Sequence, residues 1–252
     1  MGGIEIRKSI LSFAFLSFGW YVVASLHLVN PMFLPTPFET LKEGARLIAE
    51  KKIFIDLIYS FRRIFYGVSL ALIMGIPVGL GLGYYEKVYR YLECILDFFR
   101  SIPPILTFPL AMLIFGTGEE SRIAVIFFGC VSIVILNSAV GVGNSPKLRV
   151  NAAKIMGAKW YQIFSRVVIF DALPQIFVGI RVSLSMGVII GIVTEMLVGD
   201  KYGLGSRVVN AQIAYDTPGL FFTIIIVGLI GLTINKLLIS LENRVIHWKK
   251  VM

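Results

Sequence analysis

The stretch Asn144–Pro174 reads NSPKLRVNAAKIMGAKWYQIFSRVVIFDALP and separates two apolar runs. Ser145 and Pro146 form a favourable helix start, because serine caps free backbone amides and proline fits the first helical position. Gly157 is the expected stop of that helix. A loop this basic is expected on the cytoplasmic side of a membrane. Its five cations and its single acid are Lys147, Arg149, Lys154, Lys159 and Arg166 against Asp171.

The composition of the whole chain is that of a membrane protein. The 252 residues are 57% hydrophobic and 15% charged, which is less charge than a soluble domain normally carries. Roughly 20 apolar residues cross a bilayer core, so the long uncharged runs predict an all-α, polytopic membrane protein with about six transmembrane helices. The predicted spans are about Ser9–Val29, Ile64–Tyr85, Leu92–Phe115, Ile123–Val142, Gln175–Val198 and Gly219–Leu241.

We expect one membrane domain over residues 1–252. Its predicted parts are a first span at 9–29, an outer amphipathic segment at 35–52, and a five-span core at 60–241 that contains the cytoplasmic loop 144–174. In the outer segment, Leu41, Ala45, Ile48 and Ala49 share one helical face, which predicts a helix on the outer membrane surface.

A net charge of +9 is also typical of proteins that bind nucleic acid. Most cations flank spans and orient them, so we expect lipid and not nucleic acid as their surroundings. The distribution predicts a multi-pass protein of the inner or plasma membrane with both termini in the cytoplasm. Cys94 and Cys130 show neither metal-ligand spacing nor a disulfide framework, so no metal site is expected. The cations assigned to the inner side are Arg7, Lys8, Lys87, Arg90, the five of the loop, Arg244, Lys249 and Lys250.

Two predicted spans carry small residues at every fourth position. Spacing four keeps side chains on nearly one face of a helix, and small residues let helix backbones approach closely. The stripes therefore predict packing surfaces inside the bundle or between subunits. Their members are Gly67, Ala71, Gly75, Gly79 and Gly83 in the second span, and Gly179, Ser183, Gly187 and Gly191 in the fifth.

Glu195 continues the stripe of the fifth span at the next step of four. An ionisable group that faces protein inside a membrane is costly unless it is paired or wetted. Two interpretations are open: a polar group that lines a translocation path near the outer gate, or an interfacial glutamate near the far membrane surface.

The predicted loop helix has an apolar stripe inside a basic rim. The stripe is Leu148, Ala152, Ile155 and Met156, and the rim includes Asn151 and the neighbouring cations. A short helix of this kind suits a groove in a soluble partner. A hairpin that lies on the inner leaflet is the alternative.

Several short motifs, in order along the chain, resemble the permease subunits of bacterial ATP-binding-cassette importers, in the branch that includes nitrate, taurine, aliphatic sulfonate and bicarbonate systems. In that family the loop reads Glu-Ala-Ala, then Gly, then a close on Ile-x-Leu-Pro. Here Asn151 replaces the glutamate and Phe170 replaces the closing proline, which puts the ionic contact of that glutamate in doubt. The matching motifs are Asn151-Ala152-Ala153, Gly157, Val167 and Ile169 in the loop, with Leu34-Pro35-Thr36-Pro37, Gly75-Ile76-Pro77-Val78-Gly79, Arg100-Ser101-Ile102-Pro103-Pro104, Gly116-Thr117-Gly118-Glu119, Thr194-Glu195-Met196 and Gly203-Leu204-Gly205 elsewhere.

The resemblance implies a permease that works together with an ATPase and a solute-binding protein. Two permease copies would form the pathway, an ATPase subunit would dock on the loop helix, and an extracytoplasmic solute-binding protein would deliver the solute. ATP and magnesium would be bound by the ATPase, so no cofactor is expected in this chain. The implied site residues are Asn151, Ala152, Ala153, Ile155, Met156 and Gly157 for docking, Glu195, Pro103 and Pro104 for the pathway, and Gly75, Gly79, Gly83, Gly187 and Gly191 for packing.

Catalysis is not expected of this chain, because it contains no Walker A pattern and no constellation of acids or nucleophiles. The alternative function is a stand-alone secondary transporter or channel. Such a protein would be expected to have inverted repeats and several ionisable groups at mid-membrane. The sequence shows no convincing repeat and few mid-span charges, and it does not reveal the solute.

Overall fold

The computed structural model describes residues 2–26, 28–199 and 201–246, with side chains from residue 11 onward. Within those ranges every regular element is helical. The α-helices are α1 (Gly2–Ser25), α2 (Pro37–Ala49), α3 (Lys52–Tyr84), α4 (Glu86–Ser101), α5 (Phe108–Phe115), α6 (Glu119–Gly143), α7 (Lys147–Ile155), α8 (Trp160–Ile163), α9 (Ile169–Val198), α10 (Leu204–Ile213) and α11 (Thr217–Val245).

The core is a layer of three long helices with α6 between α3 and α9. The larger buried cluster includes Ile64 and Val68 of α3, Ile126 and Cys130 of α6, and Val188 of α9. Because α6 packs against a neighbour on two sides, it holds many of the fully buried side chains. The outward faces of the bundle are apolar, as expected for helices surrounded by lipid.

Four described helices are long and apolar enough to cross a membrane: Lys52–Tyr84, Glu119–Gly143, Trp160–Val198 and Thr217–Val245. A fifth span results if α4 and the segment Pro104–Phe115 are counted together across an 84° bend. In α1, the apolar part with described side chains is Leu11–Ser25, which is shorter than a span. The all-helical polytopic fold is confirmed, and the count of six spans stays a prediction.

The predicted break before the fifth span is absent. A π-helical stretch, Phe164–Val168, joins α8 to α9, so one helix runs over 39 residues from Trp160 to Val198. Pro174 lies inside that helix. The segment between α6 and this helix therefore comprises residues 144–159, and the rest of the predicted loop 144–174 is helical. A proline is tolerated within membrane helices because neighbouring groups and local adjustments of the helix satisfy the freed backbone.

Consecutive spans run in opposite directions, which gives the bundle two ends. The α7 end holds α7, the C-terminus of α6 and the start of the long α8–α9 helix. The opposite end, here the α10 end, holds α2, α10, the N-termini of α3 and α6, and the C-terminus of α9. Helix α10 was not predicted from the sequence, and α3 begins at Lys52, well before the predicted start at Ile64.

Helix α2 packs on α11 through a face that the sequence did not single out. Thr40, Gly44 and Leu47 are buried, and the Phe222 ring lies against Gly44. The predicted apolar face, which includes Leu41 and Ile48, is exposed on the outside of the protein, where it suits a membrane surface. Of the cations used for orientation, the side chains of Arg7 and Lys8 and the residues Lys249 and Lys250 lie outside the described part of the chain.

Candidate functional site

The loop helix α7 ends in a hydrogen-bonded glycine turn. The backbone N–H of Gly157 donates to the Lys154 carbonyl at 3.0 Å, and that of Ala158 donates to the Ala153 carbonyl at 3.0 Å. This is the Schellman pattern, in which a left-handed residue closes the helix. Gly157 adopts that conformation, with φ of 80°, so a side chain at this position would strain the turn.

The start of α7 differs from the prediction. Pro146 occupies the cap position and not the first helical position, and no side chain caps the helix. The Ser145 hydroxyl is buried and has no hydrogen-bond partner among the described residues. Serine therefore does not act as the cap here, because its side chain points into the protein and away from the free amides.

One face of α7 is apolar and uncovered. Leu148, Ile155 and Met156 are 82%, 88% and 85% exposed. Asn151, Ala152 and Gly157 are exposed on the same hairpin. Of the residues predicted to dock a partner, only Ala153 points the other way, where it packs against a small core at the α7 end. That core consists of Val142, Ile163, Val168, Ala172 and Ile176, with Val150 and Ala158 packed at its margin.

An ion pair ties α7 to the spanning helix α9. The Arg149 guanidinium donates to the Asp171 carboxylate, which lies in the first turn of α9. The Asp171 side chain is 11% exposed, whereas that of Arg149 is 44% exposed. The one acid of the basic loop is thus the partner of one of its five cations. No residue of α7 is fully buried, so this pair is a large part of what orients the helix.

At the α10 end, Glu195 is buried, and both of its carboxylate oxygens accept hydrogen bonds. Its side chain is 0% exposed, and one carboxylate oxygen accepts from Nη1 of Arg63 at 2.8 Å. The other oxygen accepts from the Ser60 hydroxyl at 2.8 Å and from the Gly205 backbone N–H at 2.9 Å. The sequence predicted a paired or wetted carboxylate, either in the pathway or at the membrane interface. The structure shows a buried one that joins α3, α9 and the start of α10.

Arg63 is the centre of this cluster. It is 3% exposed and also donates to both oxygens of Glu119 on α6, at 2.8 and 2.6 Å. Asp56, one helical turn before Ser60 on α3, accepts from the Gly203 backbone N–H at 2.9 Å and pairs with Arg207. Four helices meet here through charge-assisted hydrogen bonds, which are stronger than neutral ones.

Gly203 is required at its position in this cluster. Its φ of 142° is rarely adopted by other residues, and an added Cβ would lie 2.7 Å from the Glu195 carboxyl carbon. The sequence did not reveal Arg63 and Ser60 as partners of Glu195, or Asp56 as the partner of Gly203. The available signal was the run of polar residues at spacing three to four on one face of α3.

The predicted pathway prolines lie at the sharp bend between α4 and α5. Pro103 precedes a 3-10 turn, Pro104–Thr107, and the helical axes on either side differ by 84°. Pro104 packs against Gly129 of α6, where an added Cβ would meet its ring at 2.8 Å. The bend is thus held against the core, while Leu106 and Leu113 of this segment are exposed.

The glycines that were predicted to pack helices together face neighbouring helices of the same chain. On α3, an added Cβ at Gly75 would meet Val134 at 2.9 Å, and one at Gly79 or Gly83 would lie 2.5 Å from a backbone carbonyl of α6. On α9, Cβ atoms at Gly187 and Gly191 would meet Val68 at 2.5 Å and Ile64 at 2.8 Å. Both stripes therefore face neighbouring helices of the same bundle.

A polar cavity of about 220 Å³ opens at the α10 end. Four cations line it together with two acids, so its charge is positive on balance. No cluster of metal-ligating side chains occurs among the residues that the structure describes. The charged lining residues are Arg46, Lys52, Lys201, Arg207, Asp56 and Asp216.

The known proteins that this chain resembles are membrane components of transport systems. The family model described as "Binding-protein-dependent transport system inner membrane component" matches residues 67–247. A probable ABC transporter permease protein of Brucella abortus (strain 2308) is 32% identical over 242 residues, which cover 96% of this chain and 95% of that protein. The taurine transport system permease protein TauC of Escherichia coli (strain K12) is 29% identical over 249 residues, with coverage of 97% and 90%.

Other relatives are described as an aliphatic sulfonates transport permease and a nitrate import permease. Among solved structures, an inward-facing conformation of the MetNI methionine ABC transporter matches with a TM-score of 0.64 at 20% identity. It covers 78% of this chain and 98% of that one. At this identity the structural match supports the fold alone.

Proposed function

The chain belongs to the family of inner membrane components of binding-protein-dependent transport systems and is the permease component of an ATP-binding-cassette importer, and we propose that α7 is the helix on which its ATPase docks. The relatives are permeases of the taurine, sulfonate and nitrate branch. Proteins of this kind are multi-pass inner membrane proteins that transport solute and work with an ATPase.

The exposed face of α7 is the observation that carries the docking proposal. Leu148, Ile155 and Met156 are each more than 80% exposed, and Lys147 and Lys154 flank them. A short amphipathic helix with aliphatic anchors at its surface fits a hydrophobic groove in a partner. The Schellman turn at Gly157 holds the C-terminal anchors, Ile155 and Met156, in place. Asn151 and Ala152 complete the contact face.

The charge of the α7 end supports a cytoplasmic position for it. Lys147, Lys154, Lys159 and Arg166 are exposed there, and positive residues near the ends of spans favour the cytoplasmic side. In this orientation the α10 end faces the outside and receives the solute from an extracytoplasmic binding protein. Both chain termini would then lie in the cytoplasm if α1 completes a span.

The pathway would form between two copies of this chain. The bent segment α4–α5 supports this arrangement, because no residue of α4 is buried and Leu110 and Leu113 of α5 are exposed in the single chain. Pro103 and Pro104 give the bend its shape. A spanning helix broken in this way is tolerated where protein or a water-filled cavity covers the freed backbone. A homodimer supplies both, and lipid surrounds the remaining faces.

A small anion is the proposed class of solute. The relatives are described as permeases for taurine, aliphatic sulfonates and nitrate, and each of these solutes carries an anionic sulfonate or nitrate group. A carboxylate in the pathway would oppose them, but Glu195 is 0% exposed and paired with Arg63. The cavity at the α10 end carries Lys52 and Lys201 among its cations, and a positive cleft raises the local concentration of anions.

The docking proposal is tested by pull-down from mild detergent, with Ile155→Arg compared with Ile213→Arg. Both residues are exposed isoleucines at or near the ends of short helices, at 88% and 72% exposure, and they lie at opposite ends of the bundle. We expect the ATPase subunit to co-purify with the wild type and with Ile213→Arg, but not with Ile155→Arg. Equal recovery with both variants would show that the ATPase docks elsewhere.

A further inference from the structure

Beyond the docking face itself, we infer that Asp171 is a positioning residue that fixes α7 to α9, so that a displacement of α7 becomes a displacement of the spanning helix. This inference rests on the proposed docking of an ATPase on α7. It concerns a residue that does not lie on the docking face, since Asp171 is in the first turn of α9 and only 11% exposed.

The contacts of α7 show why one ion pair matters. No α7 residue is fully buried, and the apolar contacts of the helix come from the partly buried Val150 and Ala153 at the margin of a small core. Apolar contact is non-directional, so these residues hold α7 near the core without fixing its angle. The hydrogen bond from Arg149 to Asp171 is directional and charge-assisted. It therefore sets the orientation of α7 relative to α9.

The long helix that contains Asp171 extends from this contact to the opposite end of the bundle. From Trp160 to Val198 the chain is one helix of 39 residues, which at ~1.5 Å per residue is about 58 Å long. Glu195, near its far end, is locked to Arg63 on α3. The same helix is thus ion-paired to α7 at one end and to the α10-end cluster at the other. Motion of α7 that is passed to Asp171 reaches the opposite side of the membrane.

The test is the coupling ratio of the full chain assembled with its ATPase in liposomes, measured as ATP hydrolysed per solute imported. Asp171→Asn removes the charge with little change in shape, and we expect that ratio to rise roughly threefold to tenfold, which corresponds to the net free energy of one ordinary hydrogen bond. Asp171→Glu keeps the carboxylate and should stay within about twofold of the wild type on the same reasoning.

The matched control is Glu242→Gln, which removes the 3.9 Å ion pair between α11 and Arg181 of α9 and should leave the ratio unchanged. The Glu242 side chain is 15% exposed, close to the value for Asp171. Arg149→Gln should reproduce the rise seen with Asp171→Asn, because both variants break the same ion pair. Arg149 is 44% exposed, so this variant keeps the test valid if Asp171→Asn folds poorly.

Recovery of the ATPase distinguishes failure of the docking proposal from failure of the proposal for Asp171. We expect it to co-purify equally with the wild type, Asp171→Asn and Arg149→Gln. Absence of the ATPase from the wild type would refute the docking proposal. An unchanged coupling ratio in Asp171→Asn and Arg149→Gln, or a loss of ATPase binding in either, would overturn the positioning role of Asp171.

Discussion

Arg63 holds carboxylates from two other helices, and its removal would leave Glu195 charged, buried and without its cation. Breaking a buried ion pair by removing one partner typically costs about 3–5 kcal/mol. The neighbouring Arg62 provides a matched comparison, because its side chain is 50% exposed and lies 3.4 Å from the same Glu119. An exposed pair of that kind contributes about 0–1 kcal/mol.

We therefore predict that Arg63→Met lowers the thermal unfolding temperature in detergent strongly, while Arg62→Met changes it little. The double variant Arg63→Met/Glu195→Met should recover much of the loss, because an apolar pair of similar volume carries no desolvation cost. Equal effects of the two single arginine variants would contradict the cluster's role in stability.

The sequence indicated that Glu195 faces protein, because it extends the stripe of small residues on α9. It did not indicate the partner. Arg63 lies 132 positions away along the chain, and spacing rules relate residues only within one helix. The exposed end of α7 was easier to predict, since Ile155, Met156 and Gly157 lie within one short helix and its stop. The inward direction of Ala153 depends on the core beneath α7, which the sequence pattern does not reveal.

At the scale of elements, the glycines of α3 determine how closely it approaches α6. Gly79 and Gly81 lie two positions apart on the same helix and face different surroundings. A Cβ at Gly79 would lie 2.5 Å from the Ile135 carbonyl oxygen, whereas one at Gly81 would meet nothing within 4 Å. The pair therefore separates the effect of packing from the effect of helix propensity.

We predict that Gly79→Ala destabilises the protein by about 1–3 kcal/mol, the usual cost of overpacking a close-packed interior. Gly81→Ala should be neutral or slightly stabilising, because alanine is the better helix former by about 1 kcal/mol. Thermal unfolding of both variants in the same detergent measures the difference. A stable Gly79→Ala variant would show that α3 and α6 are not in close contact.

Hydropathy predicted the long helices well, because each apolar run must satisfy its backbone internally within a membrane. It failed where local signals conflicted with the tertiary structure. Leu173-Pro174 resembles a helix boundary, yet the π-helical stretch Phe164–Val168 is followed by a helix that continues through Pro174. Helix α10 was missed because it is short and polar, and its start depends on contacts from Ser60 and Asp56 of α3.

At the scale of the whole molecule, the two ends of the bundle differ in chemistry. The α7 end presents aliphatic anchors in a basic rim, which suits a soluble partner. At the α10 end, a buried ionic cluster and a positively charged cavity lie beside each other, which suits a rigid entrance for a small anion. The long helix Trp160–Val198 connects these ends. The arrangement accounts for a permease that works with an ATPase.

The most direct test of this account is solute uptake into liposomes that contain the purified chain with its ATPase subunit, with binding protein supplied outside and ATP trapped inside. The account predicts uptake of a small anion such as nitrate or an aliphatic sulfonate only when ATP, the ATPase and the binding protein are all present. It also predicts that Ile155→Arg abolishes uptake. Uptake by the chain alone, driven by an ion gradient and independent of ATP, would contradict it and identify a stand-alone transporter.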